Sequence, residues 1–145
     1  MQSLRKEAED YLAKFGVPAS ALSRWKLKKV ASSIWLVSKD FKQNEAFNTQ
    51  TSGLRLLHVT KLGFKPTSYA LQFLAPHISA RICDVNKEEL LSILKGNAVE
   101  KESQNGYVAI RYKGLILGCG LVRDKMLYSQ FPKVIRNTLL ELLKE

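Results

Sequence analysis

The chain has 145 residues, 46% of them hydrophobic, which is enough apolar material for one domain or two small ones. Its 23 basic residues outnumber the 13 acidic ones, for a net charge of +10, and that favours a polyanionic partner, nucleic acid or an anionic membrane surface. No apolar run approaches the roughly 20 residues of a membrane span, and the two cysteines, Cys83 and Cys119, stand far apart in no metal-like spacing.

The first ten residues mix both charge signs and lack the core of a signal peptide. A soluble cytoplasmic protein in a reducing compartment is the expectation. Residues 3–15 read as an amphipathic helix. Ser3 can cap it, and Leu4, Ala8, Tyr11, Leu12 and Phe15 share one face. Gly16 and Pro18 end it, and residues 18–22 suit one short turn. Residues 25–30 then alternate, with Trp25, Leu27 and Lys29 on one side and Lys26, Lys28 and Val30 on the other. With the apolar run 34–37 they predict a hairpin turning at residues 31–33. Residues 39–53 are polar and aperiodic, the pattern of a loop. Residues 54–59 read as another strand. A helix is expected from Lys65 and Pro66, with proline in its first turn and Tyr69, Ala70, Phe73 and Leu74 as its buried stripe. Pro76 stops it.

A strand over residues 80–84 leads to the best local signal in the chain. Asn86 can cap a helix, Glu89 stands where a capping box needs it, and Val85 and Leu90 can form the hydrophobic staple. Leu90, Leu91 and Leu94 face inward, and Gly96 sits at the left-handed C-cap position. Residues 98–100 begin a strand and residues 101–105 are a polar loop. Three apolar runs follow, at 107–112, 115–122 and 126–128, joined by Lys113-Gly114 and by Arg123-Asp124-Lys125. These predict a three-stranded antiparallel meander with a cationic rim of Arg111, Lys113, Arg123, Lys125, Lys133 and Arg136. Pro132 can open a final helix with Ile135, Leu139, Leu142 and Leu143 as its apolar stripe.

The run Tyr112-Lys113-Gly114-Leu115-Ile116-Leu117-Gly118-Cys119-Gly120 resembles the closing strands of PUA domains, small RNA-binding pseudobarrels. Residues 129–136 are similar to the tail of the PUA-like region of Sun/RsmF-type RNA 5-methylcytosine methyltransferases, and residues 64–72 resemble a stretch found just before that region. The order strand, helix, Leu-x-Gly, strand over residues 81–100 resembles the start of a PUA domain. The order of elements also resembles the ribosome-biogenesis factors that join a pre-PUA to a PUA domain. The resemblance implies an α+β protein: a pre-PUA-like α/β module over residues 1–78, then a PUA-like pseudobarrel with a C-terminal helix over residues 79–145. The Rossmann domain and cysteine motifs of the methyltransferases do not occur in this sequence, so the resemblance covers the RNA-binding part and no cofactor is expected.

Catalysis needs convergent acid, base or nucleophilic groups. His58 and His77 are the only histidines, and each reads as structural. Cys119 between two glycines reads as a small buried filler, and a small enzyme using Cys119 is the weaker alternative. Gly118-Cys119-Gly120 lacks the third glycine and the following helix of a dinucleotide fingerprint. RNA binding needs cations for phosphates and exposed edges or stacking faces for bases. In PUA domains the helix, the turn after it and the last strand form the RNA-facing groove. That implication nominates Lys95, Gly96 and Asn97, then Arg123 and Lys125, then Gln130, Lys133 and Arg136. Tyr128 is a stacking candidate. The expected partner is tRNA or rRNA, with an RNA-modifying enzyme or pre-ribosomal proteins beside it and no membrane. The alternative is a detached specificity subunit that recruits an RNA methyltransferase.

Overall fold

The computed structural model describes residues 3–39 and 53–144; the greater part of the loop expected at 39–53 lies outside them. The chain divides into two compact units, Met1–Ala80 and Arg81–Glu145.

In the first unit, helix α1 (Leu4–Ala13) starts where Ser3 accepts a bond from the Lys6 N–H. Ala8, Leu12 and Phe15 are buried, and Tyr11 packs its ring edge-on against Phe64, with centroids 5.5 Å apart. A 3₁₀ turn (Ala19–Leu22) leads into four antiparallel strands in sequential order: β1 (Trp25–Val30), β2 (Ser33–Ser38), β3 (Gly53–Thr60) and β4 (Gly63–Pro66). Arg5 fastens α1 to the start of β1 by donating to the carbonyls of Leu22 (2.6 Å) and Trp25 (2.9 Å). Side chains alternate between faces along a strand. One face carries Trp25, Leu27, Ile34, Leu36 and Leu57, of which Ile34, Leu36 and Leu57 are buried.

Two expectations fail here. Strand β4 replaces the expected helix start, and Pro66 closes that strand. β4 is an edge strand, which is where a residue without an N–H is tolerated. The helix, α2 (Ser68–Phe73), begins only at Ser68, capped by Thr67 Oγ1, which accepts from the Ala70 N–H at 3.0 Å. The shift changes the buried stripe to Ser68, Ala70, Leu71 and Leu74 and leaves Tyr69 and Phe73 exposed. Phe73 still meets Trp25 edge-on, at 5.7 Å.

The second unit is a five-stranded mixed sheet packed on helix α3. Strand β5 (Ile82–Asp84) runs parallel to β7 (Gly106–Tyr112). The antiparallel meander continues through β8 (Leu115–Arg123) and β9 (Met126–Ser129), and β6 (Val99–Glu100) closes the far edge antiparallel to β9. Both meander turns are two residues long with positive φ: Lys113 and Gly114, then Asp124 and Lys125. That backbone matches the twist of the strands it joins. Gly120 faces the core, where a Cβ would stand 2.7 Å from Ile110 Cδ1 and 2.8 Å from Leu127 Cδ1. Gly120 of the Gly-x-Gly therefore serves close packing.

Helix α3 (Lys87–Leu94) carries the full capping box: Glu89 N–H donates to Asn86 Oδ1 at 2.8 Å, and Asn86 N–H donates to Glu89 Oε1 at 2.9 Å. Val85, Leu90, Ile93 and Leu94 join Val108, Ile110, Val122 and Leu127 in one core. Ile93 takes the inward place expected of Leu91, which is half-buried. Helix α4 (Lys133–Leu142) follows Pro132. Ile135 is buried, Leu139, Leu140 and Leu143 pack against the core, and Leu142 is 61% exposed, against expectation. Leu142 and Ile135 are seven residues apart, and the helix buries the side defined instead by Ile135, Leu139 and Leu143.

Candidate nucleic-acid interface

The α3 C-terminus builds the first part of the interface. The Gly96 N–H donates to the Ile93 carbonyl (3.1 Å) and the Asn97 N–H to that of Ser92 (3.0 Å), with Gly96 at φ +94. This pair of bonds is a Schellman closure. It consumes the backbone N–H groups of Gly96 and Asn97, two of the residues nominated from the sequence. What remains for a ligand is the Asn97 amide, the carbonyls and the exposed Lys95 side chain.

Strand β6 is antiparallel to β9, with Val99 opposite Leu127 and Glu100 opposite Met126. The Lys95-Gly96-Asn97 turn that feeds β6 therefore lies at the end of β9 from which Gln130 leaves. Gln130 continues the ladder through its N–H to the Cys119 carbonyl (2.9 Å), and its side-chain amide donates to the Ser129 carbonyl (3.1 Å). Lys95 and Leu91 form one wall of an open groove whose other wall is Asn137, Leu140, Glu141, Leu143 and Lys144 of α4 and its C-terminal end, so one carboxylate stands among its cations. Lys133 and Arg136 stand one turn before Asn137 and Leu140, so they extend that wall. The three nominated cations at this end, Lys95, Lys133 and Arg136, are exposed and form no ion pair among the described residues. Lys144, which pairs with Glu141 at 3.2 Å, was not nominated from the sequence. Its spacing from Lys133 and Asn137, i+11 and i+7, is the signal that would have found it.

Arg123 and Lys125 sit elsewhere. They flank and form the turn at the start of β9, while Gln130 leaves its other end, about 13 Å away for a four-residue strand. This turn and the first turn of α4, which the sequence reads as parts of one cationic rim, are not adjacent, because the strand itself separates them. The turn is clamped instead by the 101–105 loop. The Lys101 N–H donates to the Lys125 carbonyl (2.8 Å), the Asp124 N–H donates to Asn105 Oδ1 (3.0 Å), and Lys125 Nζ lies 3.7 Å from Glu102. Arg81 braces the same loop, donating to Gln104 Oε1 and to the Asn105 carbonyl. The nominated residues thus fall into two cationic groups, one at each end of β9. Tyr128, 43% exposed, lies on the strand between them.

Lys101 also ties the turn to the helix, since its ammonium lies 2.9 Å from Glu89 Oε1, the oxygen that closes the capping box. Burial alone would raise the Glu89 pKa. The Lys101 ammonium and the Asn86 N–H outweigh it and hold the carboxyl below its ordinary value. Asp84 is also held low, chiefly by the Arg111 guanidinium, which donates two bonds to it at 2.6 and 2.8 Å across the β5–β7 pair. The thiols are poorly placed for chemistry: Cys119 is 1% exposed, and burial pushes the Cys83 thiol up.

A mixed β sheet curled around one helix, closed by a C-terminal helix, with cations at both ends of its last strand, is the architecture of a PUA-like RNA-binding module. Residues 80–137 match the family model described as the methyltransferase RsmF PUA domain. The second unit is therefore a PUA-like domain resembling the RsmF PUA region. No curated protein matches the chain. No helix among the described residues is long and apolar enough to cross a membrane.

Proposed function

We propose that this protein binds structured RNA, tRNA or rRNA, in the cytoplasm, and supports RNA modification or ribosome assembly without chemistry of its own. The observation that carries the reading is the groove between α3 and α4. Lys95 and Lys144 line it beside Glu141, Lys133 and Arg136 continue its α4 side one turn earlier, its lining includes Leu91, Leu140 and Leu143, and it lies within a PUA-like domain. Arginine can fork onto a phosphate and lysine acts as a point charge. The apolar part of the lining, Leu91, Leu140 and Leu143, can receive a splayed base. Gly96 and Asn97 shape this end, and Gln130 borders it. Arg123 and Lys125 supply a second phosphate contact at the other end of β9. A second reading, recruitment of an RNA methyltransferase to its substrate, is favoured by the methyltransferase-associated family that the domain matches.

The test is Lys133→Glu with Arg136→Glu, read by anisotropy titration against tRNA and rRNA fragments, with circular dichroism to confirm folding. Both positions are exposed, so the fold should persist. Binding should weaken severely, since each change replaces attraction by repulsion. Lys6→Glu on α1, where Lys6 pairs with Asp10, should matter much less. Wild-type affinity in the folded double variant contradicts the site.

A further inference from the structure

The positive charge of this chain is concentrated outside its PUA-like domain. Residues 1–80 hold 12 basic and 5 acidic residues, whereas residues 81–145 hold 11 and 8. Strands β1 to β4 contain no Asp or Glu at all, against five lysines and arginines and one histidine.

The register sorts these cations. Cross-strand partners share a face. Lys28 is opposite Trp35 and Trp35 opposite Arg55, so the three form one row across β1, β2 and β3. A bulge in the β2–β3 pairing, between Ile34 and Trp35, brings Arg55 rather than Leu56 opposite Trp35. Ser33, His58 and Lys65 make the next row, and Lys26 precedes Lys28 on the same side. The opposite face carries Ile34, Leu36 and Leu57 into the core; on this one Ser33, Trp35 and Val37 of the central strand are buried as well, so what it offers to solvent is the exposed Lys26 and Arg55 and the half-buried Lys28, His58 and Lys65. Trp35 is only 8% exposed, and the Arg55 guanidinium lies over its ring at 5.1 Å. The indole is thus a platform that holds a cation outward and no stacking surface for a base. His58 Nδ1 lies 3.4 Å from Ser33 Oγ.

We infer that this face of the N-terminal sheet, Lys26, Lys28, Arg55, His58 and Lys65 set around Trp35, is a second RNA-binding surface that grips the sugar-phosphate backbone. Backbone binding needs cations placed where they can neutralise phosphates and no base-reading edge. The sheet supplies rows about 4.8 Å apart across strands and about 7 Å apart along them. The His58 imidazole reports on this arrangement. Burial first, then Arg55 and Lys65, hold it below its ordinary pKa, and a phosphate placed among those cations would relieve the repulsion.

The experiment follows the His58 ring by NMR in the full chain, with His77→Gln to assign the two histidines. The probes are a short RNA hairpin, an oligouridylate and polyglutamate. The expected result is movement of the His58 ring signals on adding either RNA, with its pKa raised in the complex. Lys26→Gln, Lys28→Gln and Lys65→Gln together should lower the log–log salt slope of binding by roughly 0.7–0.9 for each phosphate that the sheet no longer neutralises. His58 signals unmoved by saturating RNA overturn the proposal, even where Lys133→Glu with Arg136→Glu weakens binding and so sustains the PUA site. His58 movement in that double variant supports the sheet surface independently of the PUA site. Movement with polyglutamate and none with RNA also overturns it, in favour of an acidic protein segment. If the triple variant fails to fold, the wild-type His58 response still decides.

Discussion

Asn86→Ala removes the side-chain oxygen that accepts the Glu89 N–H at 2.8 Å. The reciprocal bond, from the Asn86 N–H to Glu89 Oε1, survives the substitution chemically but loses the partner that fixes its geometry. Loss of an N-cap costs about 0.5–2 kcal/mol. The upper half of that range applies, because Glu89 also holds Lys101 at 2.9 Å and the Lys101 N–H holds the β8–β9 turn through the Lys125 carbonyl. About 1.25–2 kcal/mol corresponds to a midpoint lowered by roughly 5–16 °C for a unit of 65 residues (81–145) that unfolds cooperatively. Differential scanning calorimetry on the wild type and the variant measures it. Asn86→Ser, which restores an acceptor, should recover most of the loss. An unchanged midpoint in Asn86→Ala would refute the reasoning, because it would mean that the box does not stabilise α3.

Glu89 is held below its ordinary pKa, so the folded state binds fewer protons than the unfolded chain. Its contribution is present above the unfolded value and is lost as pH falls through the folded one. Urea midpoints should therefore drop on acidification through the carboxylate range, and Glu89→Gln should show a shallower drop. Gly120→Val should destabilise the domain by about 1–3 kcal/mol or more, since its Cβ would collide with Ile110 and Leu127; a denaturant curve matching wild type would contradict that packing. Native Cys119 should alkylate slowly with iodoacetamide, because it is 1% exposed. Mass spectrometry showing rapid native labelling at Cys119 would revive a reactive role for it.

The elements written in local chemistry were legible in the sequence. The capping box at Asn86 and Glu89, the left-handed closure at Gly96 and the meander turns are each set by residues within five positions of one another. Long-range pairing was not legible. Strand β4 contains a proline and has its apolar partners on β3, so nothing local distinguishes Gly63–Pro66 from a helix start. The same misplacement put Tyr69 and Phe73 in the core. The cationic residues were visible along the chain, but their grouping was not. Their division between the two ends of β9 depends on where that strand starts and stops, and on β6 pairing with it after an intervening hairpin. The bulge that turns Arg55 over Trp35 is likewise a property of two paired strands.

The central claim is that exposed cations of this chain contact RNA phosphates, and the salt dependence of binding tests it most directly. Fluorescence anisotropy of the full chain with a structured tRNA or rRNA fragment, titrated from low to moderate salt, gives the slope of log K against log [salt]. Several phosphate contacts at roughly 0.7–0.9 each predict a slope of several units. A flat response would contradict the account and leave the charge of +10 without a role in RNA binding.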